Sequence, residues 1–551
     1  MNALNDKIKK VLIANRGEIA LRIQRACRKL GLDSVSIAST ADAGGCFARQ
    51  AQRLVIIGPP AARESYLNIE KIVATALAEG CDAVHPGYGF LSENADFARA
   101  VQTAGLTFIG PDPESIETLG SKTLARAKVT EFGVPVTPGA RGDLTDGQLV
   151  AEAEKIGFPV IIKAVAGGGG RGMRVVSSAA EMSEILPRAR AEALKNFSSD
   201  KVYIERYISE PRHIEVQVFG DHHGTVLHFG TRDCSAQRRH QKLIEEAPAP
   251  LLSDAQRAAI EGAAVRAAQS VGYRNAGTAE FLVKGDEFYF LEMNTRIQVE
   301  HPVTELVTGV DLVELQLRVA AGEKFPFTQA EIRTTGHAME FRIYAEDPAR
   351  RFAPAVGRVS KIGRPVAEWI REDYGVESGD EVSPHYDAML SKLIVSGRDR
   401  REVIERSYEA LRNYSVEGLP TTIEFHRWLL RQPAFRSGGI DIGFVERSFS
   451  AEALRELAAS EARDPRHRPG VPGAEIVELY RCRSERFRHE HTVEVLHRAD
   501  GTFIATPCSP LGARAPRRFC RASNGLATVL AAIRAEVLEQ IAPTELFEHV
   551  A

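Results

Sequence analysis

Residues 8 to 110 alternate between strand-like and helix-like stretches, and this order constrains the fold more than any single motif. IKKVLIA reads as a buried strand and Asn15-Arg16-Gly17 as a turn. Ile19, Ile23 and Ala26 then recur at helical spacing until Gly31 stops the helix. SVSIAS and LVIIG are further strands, followed by a helix around Asn68 to Glu79. DAVHPG, a helix over Glu93 to Ala104 and the strand TFIG complete the series. Strands separated by helices lie parallel, so the series predicts a doubly wound parallel sheet. No GxGxxG follows the first strand, and a dinucleotide site is not supported.

Pro111-Asp-Pro113 ends the alternation, and a helix after Lys122 runs to about Gly133. Residues 134 to 205 read as a small α/β unit around FPVIIKAVAGGGGRGMRVV: strand, glycine-rich loop, strand. HIEVQVFG and TVLHFG add strands. Two more, Thr278 to Val283 and Glu287 to Glu292, flank Lys284-Gly285-Asp286 as a hairpin. Past about residue 335, HAMEFRIYAEDP, GRVSKIG and SPHYDAMLSKLIVSG are strand-like, and Arg401 to Tyr414 is helical. Ser460 to Gly473 has linker composition. A hairpin, HTVEVLHRADGTFIAT, and an amphipathic helix over Leu526 to Ile541 follow it, and no internal repeat is found.

A chain of 551 residues, 44% hydrophobic and 26% charged, has material for several ordinary globular domains. A net charge of −3 gives no global reason to expect a nucleic acid or a membrane surface as partner. No apolar run approaches the roughly 20 residues that span a bilayer, and the amino terminus has no signal-peptide core. The seven cysteines are scattered without a CxxC, so neither a zinc site nor a disulfide framework is indicated. A reducing, cytoplasmic setting is expected.

Chemistry concentrates in LEMNTRIQVEHPVTE, residues 291 to 305. If the strand continues, Glu292, Asn294, Arg296, Gln298 and Glu300 share one face. A solvated face is the ordinary meaning of such alternation, but the hairpin changes the reading. With Asp286 at its centre, Glu280 lies opposite Glu292. Cross-strand Cβ atoms are roughly 5 Å apart and like charges there repel, which calls for a cation between them. A few oxygen ligands suit Mg²⁺, with phosphate and water completing its shell, and Asn294 adds an amide oxygen. A slip of one residue would separate the pair.

Gly167 to Gly172 form either a flexible hairpin tip or a loop that offers backbone N–H groups to phosphate at Gly168, Gly169 and Gly170. No GKS or GKT closes it, so it is not a Walker A loop. Lys163, four residues earlier, is a suitable point charge for a nucleotide phosphate. Arg232 to Lys242 (RDCSAQRRHQK) packs four cationic residues plus His240 into eleven positions. It is either a solvated basic loop or the counter-charge to the acidic hairpin and an extra anion.

IANRGEIALRI, HPGYGFLSEN, IIKAVAGGGGRGMRVV, RDCSAQRRHQKLIEEAPAP, LEMNTRIQVEHPVTE, RIYAEDP and YDAMLSKLIV together resemble the biotin carboxylases, the ATP-grasp component of biotin-dependent carboxylases. The resemblance runs from about residue 8 to 447. It implies an α/β and α+β multidomain fold. The parts are an N-terminal doubly wound domain (1–117) and an ATP-grasp domain (118–335) with a mobile glycine-rich lid at about 134–205. A C-terminal biotin carboxylase domain (336–447), a linker (448–473) and a small α+β module for subunit docking (474–551) complete it.

The reaction it implies uses ATP and bicarbonate to carboxylate N1′ of biotin through carboxyphosphate. ATP contacts fall to Lys122, Lys163, Gly168, Gly169, Gly170, Glu205, His213, Gln237 and His240. Metal contacts (Mg²⁺ or Mn²⁺) fall to Glu280, Glu292 and Asn294. Bicarbonate falls to Lys242, Arg296, Gln298 and the Val299 backbone, with Glu300 as base. Arg342 would hold the biotin anion. His85, Tyr88 and His301 lie in matching motifs with packing or hydrogen-bonding roles.

RIYAEDP, with Tyr344, is nearer in spelling to propionyl- or methylcrotonyl-type acyl-CoA carboxylases than to the free-standing acetyl-CoA type. Ala166 stands where the glycine run is often one residue longer, and Phe352-Ala-Pro-Ala-Val-Gly departs from the usual Phe-Leu-Pro-Ser-x-Gly. None of the six methionines precedes a lysine, so no Ala-Met-Lys-Met biotin attachment site is present. Biotin is therefore expected on a separate carrier, with a separate carboxyltransferase and a homodimer or larger hetero-oligomer, Arg16 to Arg22 contributing to the interface. The alternatives are another ATP-grasp carboxylate–amine ligase and a non-catalytic nucleotide-binding regulator. Gln298, Glu300 and Arg342 speak against the first, and an intact set of metal and base residues against the second.

Overall fold

The structure is a computed structural model. It describes residue 4, residues 7–140, 144–165, 173–197 and 199–463, and the backbone of five strands between 475 and 549. The alternating first part forms a five-stranded parallel sheet in the order β3-β2-β1-β4-β5. Its strands are β1 (Lys10–Ile13), β2 (Asp33–Ser39), β3 (Arg53–Gly58), β4 (Ala83–His85) and β5 (Thr107–Phe108). Val11 and Ile13 pack into one apolar cluster and Leu12 into another, so β1 is covered on both faces. Helix α1 (Gly17–Leu30) follows β1 and ends on Gly31, whose φ of +72° closes the helix as the sequence predicts.

After α2 (Lys122–Glu131), which is capped by the Ser121 side chain, comes a small antiparallel sheet in the order β6-β9-β7-β8. It comprises β6 (Gly139–Ala140), β7 (Val160–Ala164), β8 (Arg174–Val176) and β9 (Val202–Arg206). Helices Asp146–Ile156 and Ala179–Phe197 cover it through Leu149, Leu186, Val160 and Ile162. Gly168, Gly169 and Gly170 lie outside the described residues.

An eight-stranded antiparallel sheet carries the site. Its strands are β10 (Arg212–Gly220), β11 (Val226–Arg238), β12 (Gln241–Ala247), β13 (Asn275–Lys284), β14 (Glu287–Asn294), β15 (His337–Tyr344), β16 (Ile370–Tyr374) and β17 (Met389–Gly397). The order is β14-β13-β10-β11-β12-β15-β17-β16. The strands read after residue 335 thus continue the sheet of the central region, through the β12–β15 pairing. Helix α3 (His301–Thr308) packs against it through Val303 and Val307, which meet Ala247, Ala338 and Ile394.

One expectation changes here. The stretch 448–473 was expected to be a linker, yet Ala451–Arg463 is a helix. Its alanine, leucine and glutamate residues favour helix, and Leu454 and Leu457 join the core built on Phe341 and Trp428. Arg16 and Arg22, which bound the stretch expected at a subunit interface, also make ion pairs within the chain. Arg16 pairs with Asp42 at 2.7 Å, and Arg22 with Glu305 and Asp311 at 2.9 and 2.5 Å. Of the segment expected as a docking module, Glu475–Ser484 pairs with Lys361–Val366, and the expected hairpin forms between His489–His497 and Thr502–Cys508. The helix expected over Leu526 to Ile541 lies outside the described residues.

Candidate active site

Strands β13 and β14 turn at Gly285-Asp286, where Gly285 takes a φ of +58°. Pairing begins Lys284↔Glu287 and reaches Phe281↔Phe290, a register that would set Glu280 against Leu291. A bulge then inserts Leu291, after which Glu280 faces Glu292 and Thr278 faces Asn294. The extra residue also changes which face each side chain takes. Phe288 and Phe290 pack into the core before it and Met293 does so after it, which leaves Glu292 and Asn294 on the site face. The carboxylates are opposed as expected, through a two-residue turn plus a bulge rather than a turn centred on Asp286.

The single polar strand expected over residues 292 to 300 is not formed. Strand β14 ends at Asn294. The Thr295 N–H turns away to donate to Glu93 (3.1 Å), and Pro302, in the first turn of α3, favours a helix start. Arg296 to Glu300 are therefore an irregular connection, with Glu300 at the helix cap. Their side chains still converge. Gln298 Nε2 donates to Glu280 Oε1 at 2.8 Å, and Arg296 donates to Glu93 and to Asn294 Oδ1, each at 2.9 Å.

The centre of the cluster is Lys242, at the start of β12. Its Nζ donates to Glu215 (2.6 Å), Glu280 (3.0 Å) and Glu300 (2.7 Å). Burial alone would lower this ammonium, but Cys234 and the three carboxylates hold it well above the ordinary lysine range. Burial likewise opposes the charge on Glu300, yet Lys242, Arg342 and Arg232 pull its carboxyl well below the usual range. Arg342, on β15, bridges Glu300 Oε2 at 2.9 Å and Glu245 Oε1 at 2.6 Å. Glu245 is pushed up to about 7, by burial first, against the pull of Arg342.

Glu292 accepts no hydrogen bond among the described residues, and burial together with Glu280 raises its carboxyl. Two opposed carboxylates, one without a partner, with the Asn294 amide beside them, form an oxygen donor set that fits a small divalent cation. Lys122 faces Glu292 closely enough to oppose that rise. On the neighbouring sheet, Lys163 Nζ and Arg126 both hold Glu205, at 2.7 and 2.8 Å. His213 Nε2 lies 3.2 Å from Glu280, and Gln237 Nε2 donates to the Cys234 carbonyl at 3.2 Å. His240 sits in the turn after β11 with a φ of +67°. His85 Nδ1 accepts from the Gly87 N–H (3.0 Å), and burial takes His85 down to about 3. His301 Nδ1 lies 2.8 Å from the Gln298 carbonyl oxygen. Burial lowers His301 as well, so His85 and His301 serve as neutral hydrogen-bonding rings.

Glu215 was not anticipated. It binds Lys242 and the fully buried Arg232, whose guanidinium also reaches Gln217 (2.8 Å), Thr304 (3.0 Å) and Gln298 (3.0 Å). The signal lay in HIEVQVFG, where His213, Glu215 and Gln217 alternate with Ile214, Val216 and Val218. The three polar residues share the face that carries Glu280 on the neighbouring strand.

A buried lysine among carboxylates, next to an opposed carboxylate pair and set on this sheet, is the arrangement expected of an ATP-grasp ligase, and the matches to known proteins place the chain in that class. Three family models match in order. "Biotin carboxylase, N-terminal domain" covers residues 7–116, "Carbamoyl-phosphate synthase L chain, ATP binding domain" covers 121–328, and "Biotin carboxylase C-terminal domain" covers 340–447. A biotin carboxylase of Nostoc sp. is 49% identical over 442 residues, which is 80% of this chain and 99% of that protein. The mitochondrial methylcrotonoyl-CoA carboxylase subunit alpha of Oryza sativa is also 49% identical, over 80% of this chain, and the chain spans 60% of its length. The solved biotin carboxylase–βγ-ATP complex from Campylobacter jejuni superposes with a TM-score of 0.76 at 42% identity, covering 81% of this chain and 100% of that one. The chain belongs to the biotin carboxylase family.

Proposed function

We propose that this chain uses ATP and bicarbonate to carboxylate biotin, which arrives on a carrier outside this sequence, as the biotin carboxylase component of an acyl-CoA carboxylase. The observation that carries the reading is Glu300 held between Lys242 and Arg342, beside the opposed pair Glu280 and Glu292. Lys122, Lys163, Glu205, His213, Gln237, His240 and the glycine run at Gly168, Gly169 and Gly170 serve ATP. Glu280, Glu292 and Asn294 would hold Mg²⁺, which when bound neutralises phosphate charge. Lys242, Arg296, Gln298 and the Val299 N–H hold bicarbonate.

Glu300 takes the bicarbonate proton, and the anion attacks the γ-phosphate, breaking its bond to the β-phosphate and releasing ADP, to give carboxyphosphate. With two cations on it, Glu300 is a weak base. A bicarbonate anion draws on the same cations, which raises Glu300 toward the range a base needs. Carboxyphosphate then splits into CO₂ and phosphate; the phosphate takes the N1′ proton, Arg342 stabilises the resulting charge on the ureido oxygen of biotin, and N1′ takes up the CO₂. The acyl-CoA acceptor rests on the RIYAEDP spelling. Relatives in the family bear the names of methylcrotonoyl-CoA and pyruvate carboxylases, and solved ones that of a 2-oxoglutarate carboxylase.

ATP hydrolysis by the purified chain with Mg²⁺ and bicarbonate, with and without free biotin or a biotinylated carrier, tests the reading. Turnover should need bicarbonate, rise with biotin, and fall by about 100-fold or more in Glu300→Gln, the scale of a lost general base. Turnover indifferent to both bicarbonate and biotin would overturn it.

A further inference from the structure

Lys392, on β17, is fully buried and lies directly across from Arg342 in the β15–β17 pairing. Two cations facing each other across a sheet repel, and a buried ammonium costs several kcal/mol unless it is well partnered. A methionine of similar length would fill this position without that cost, so the ammonium has to be accounted for by what it touches. Its Nζ donates to the backbone carbonyl of Val299 at 2.7 Å and lies 3.2 Å from Glu18 Oε1. Glu18 stands in the first turn of α1 and also accepts from the Tyr88 hydroxyl. The ammonium therefore joins three parts of the chain that are distant in sequence: the start of α1, the irregular connection before α3, and β17.

The connection is held at two successive carbonyls. The Gln298 carbonyl accepts from the His301 N–H (3.3 Å) and faces His301 Nδ1 (2.8 Å), while the Val299 carbonyl accepts from Lys392. In a trans peptide the N–H points opposite to the C=O. Fixing these two carbonyls therefore fixes where the Val299 and Glu300 N–H groups point. The Val299 N–H finds no acceptor among the described residues. Helix α1 also grips α3 one turn further on, through Arg22 and Glu305 at 2.9 Å. The beginning of α3, where Glu300 sits, is thus tied to α1 at two points.

We propose that Lys392 is a positioning residue for the anion substrate. Anchored by Glu18, it holds the Val299 carbonyl and so sets the Val299–Glu300 peptide, aiming the Glu300 carboxylate at the bound bicarbonate before it arrives, while His301 on the Gln298 carbonyl aims the Val299 N–H. This rests on the bicarbonate reading above. Preorganised donors need no rearrangement on binding, so losing the anchor should weaken the site for bicarbonate and leave the nucleotide side as it was.

The test is steady-state ATP turnover by the full chain in Lys392→Met and Glu18→Gln, with bicarbonate and ATP varied separately and thermal melts run in parallel. The KM for bicarbonate should rise about tenfold or more in Lys392→Met, the scale of a lost hydrogen bond to a charged group. It should rise less, in the same direction, in Glu18→Gln. The KM for ATP should stay within about twofold in both. If Lys392→Met fails to fold, Glu18→Gln decides by the same split. An unchanged bicarbonate KM in a folded variant, or both KM values rising together as the melting temperature falls, would overturn the proposal in favour of a purely structural lysine. A wild-type chain whose turnover ignores bicarbonate would overturn the function reading instead, so the two failures are distinct.

Discussion

Glu215 shows how a residue with only a faint signal in the sequence can organise a site. Its carboxylate is fully buried and shared by Arg232 and Lys242, so its removal leaves two cations short of counter-charge. Breaking a buried pair on one side costs about 3–5 kcal/mol. Glu215→Gln should accordingly lower the unfolding free energy by about that amount, read as a shift of the urea midpoint. A change below about 1 kcal/mol would mean that Glu280 and Glu300 suffice to balance Lys242. The sequence exposed the cations and the acidic hairpin because they are dense there. Glu215 sits alone between valine and isoleucine, and only the register of β10 against β13, with Glu215 opposite Glu280, brings it to the site.

Elements were legible where a local rule governs them. The helix after the first strand, its glycine stop and the acidic hairpin each follow from spacing and turn chemistry. The bulge at Leu291 and the end of β14 at Asn294 were not legible. Both are decided by partners far along the chain, the first by the core under Phe290 and Met293 and the second by Glu93. The helix Ala451–Arg463 was hidden by the proline-rich stretch beside it. A similar long-range constraint acts at Gly375, which follows β16. A Cβ there would come within 2.7 Å of the Glu18 backbone nitrogen, at the start of α1. Gly375→Ala should therefore push α1 from the sheet and cost about 1–3 kcal/mol, the range for overpacking. Thermal melting checks it, and an unchanged melt would show that α1 yields freely.

At the scale of the molecule, the N-terminal sheet, the central strands and the strands after 335 meet at a network of buried charges. Glu305 of α3 binds Arg22 of α1 and Arg371 of β16, at 2.9 and 2.7 Å. Burial works against its charge, but the Arg22 and Arg371 guanidiniums bring it down to about 2. A carboxyl lowered on folding adds stability above its unfolded pKa, near 4.3, and loses that contribution as pH falls through the folded value. Glu305→Gln should thus cost about 3 kcal/mol at pH 7. Wild type and variant should converge between pH of about 4 and about 2. Unfolding curves over that range check the sign, and a constant gap would place the energy outside the ion pair.

The antiparallel pairing of β12 with β15 has a consequence for anyone recombining relatives with different acceptors. A crossover near residue 335 looks natural from the order of motifs, yet it cuts between neighbours in one hydrogen-bonded sheet. The Glu245 and Arg342 pair spans that cut, so each half of a chimaera must supply one side of it. Expressed apart, the halves would each present a bare strand edge, the geometry through which chains aggregate. Grafts that carry β12 together with β15 to β17 keep the ladder and the charge pair in one piece.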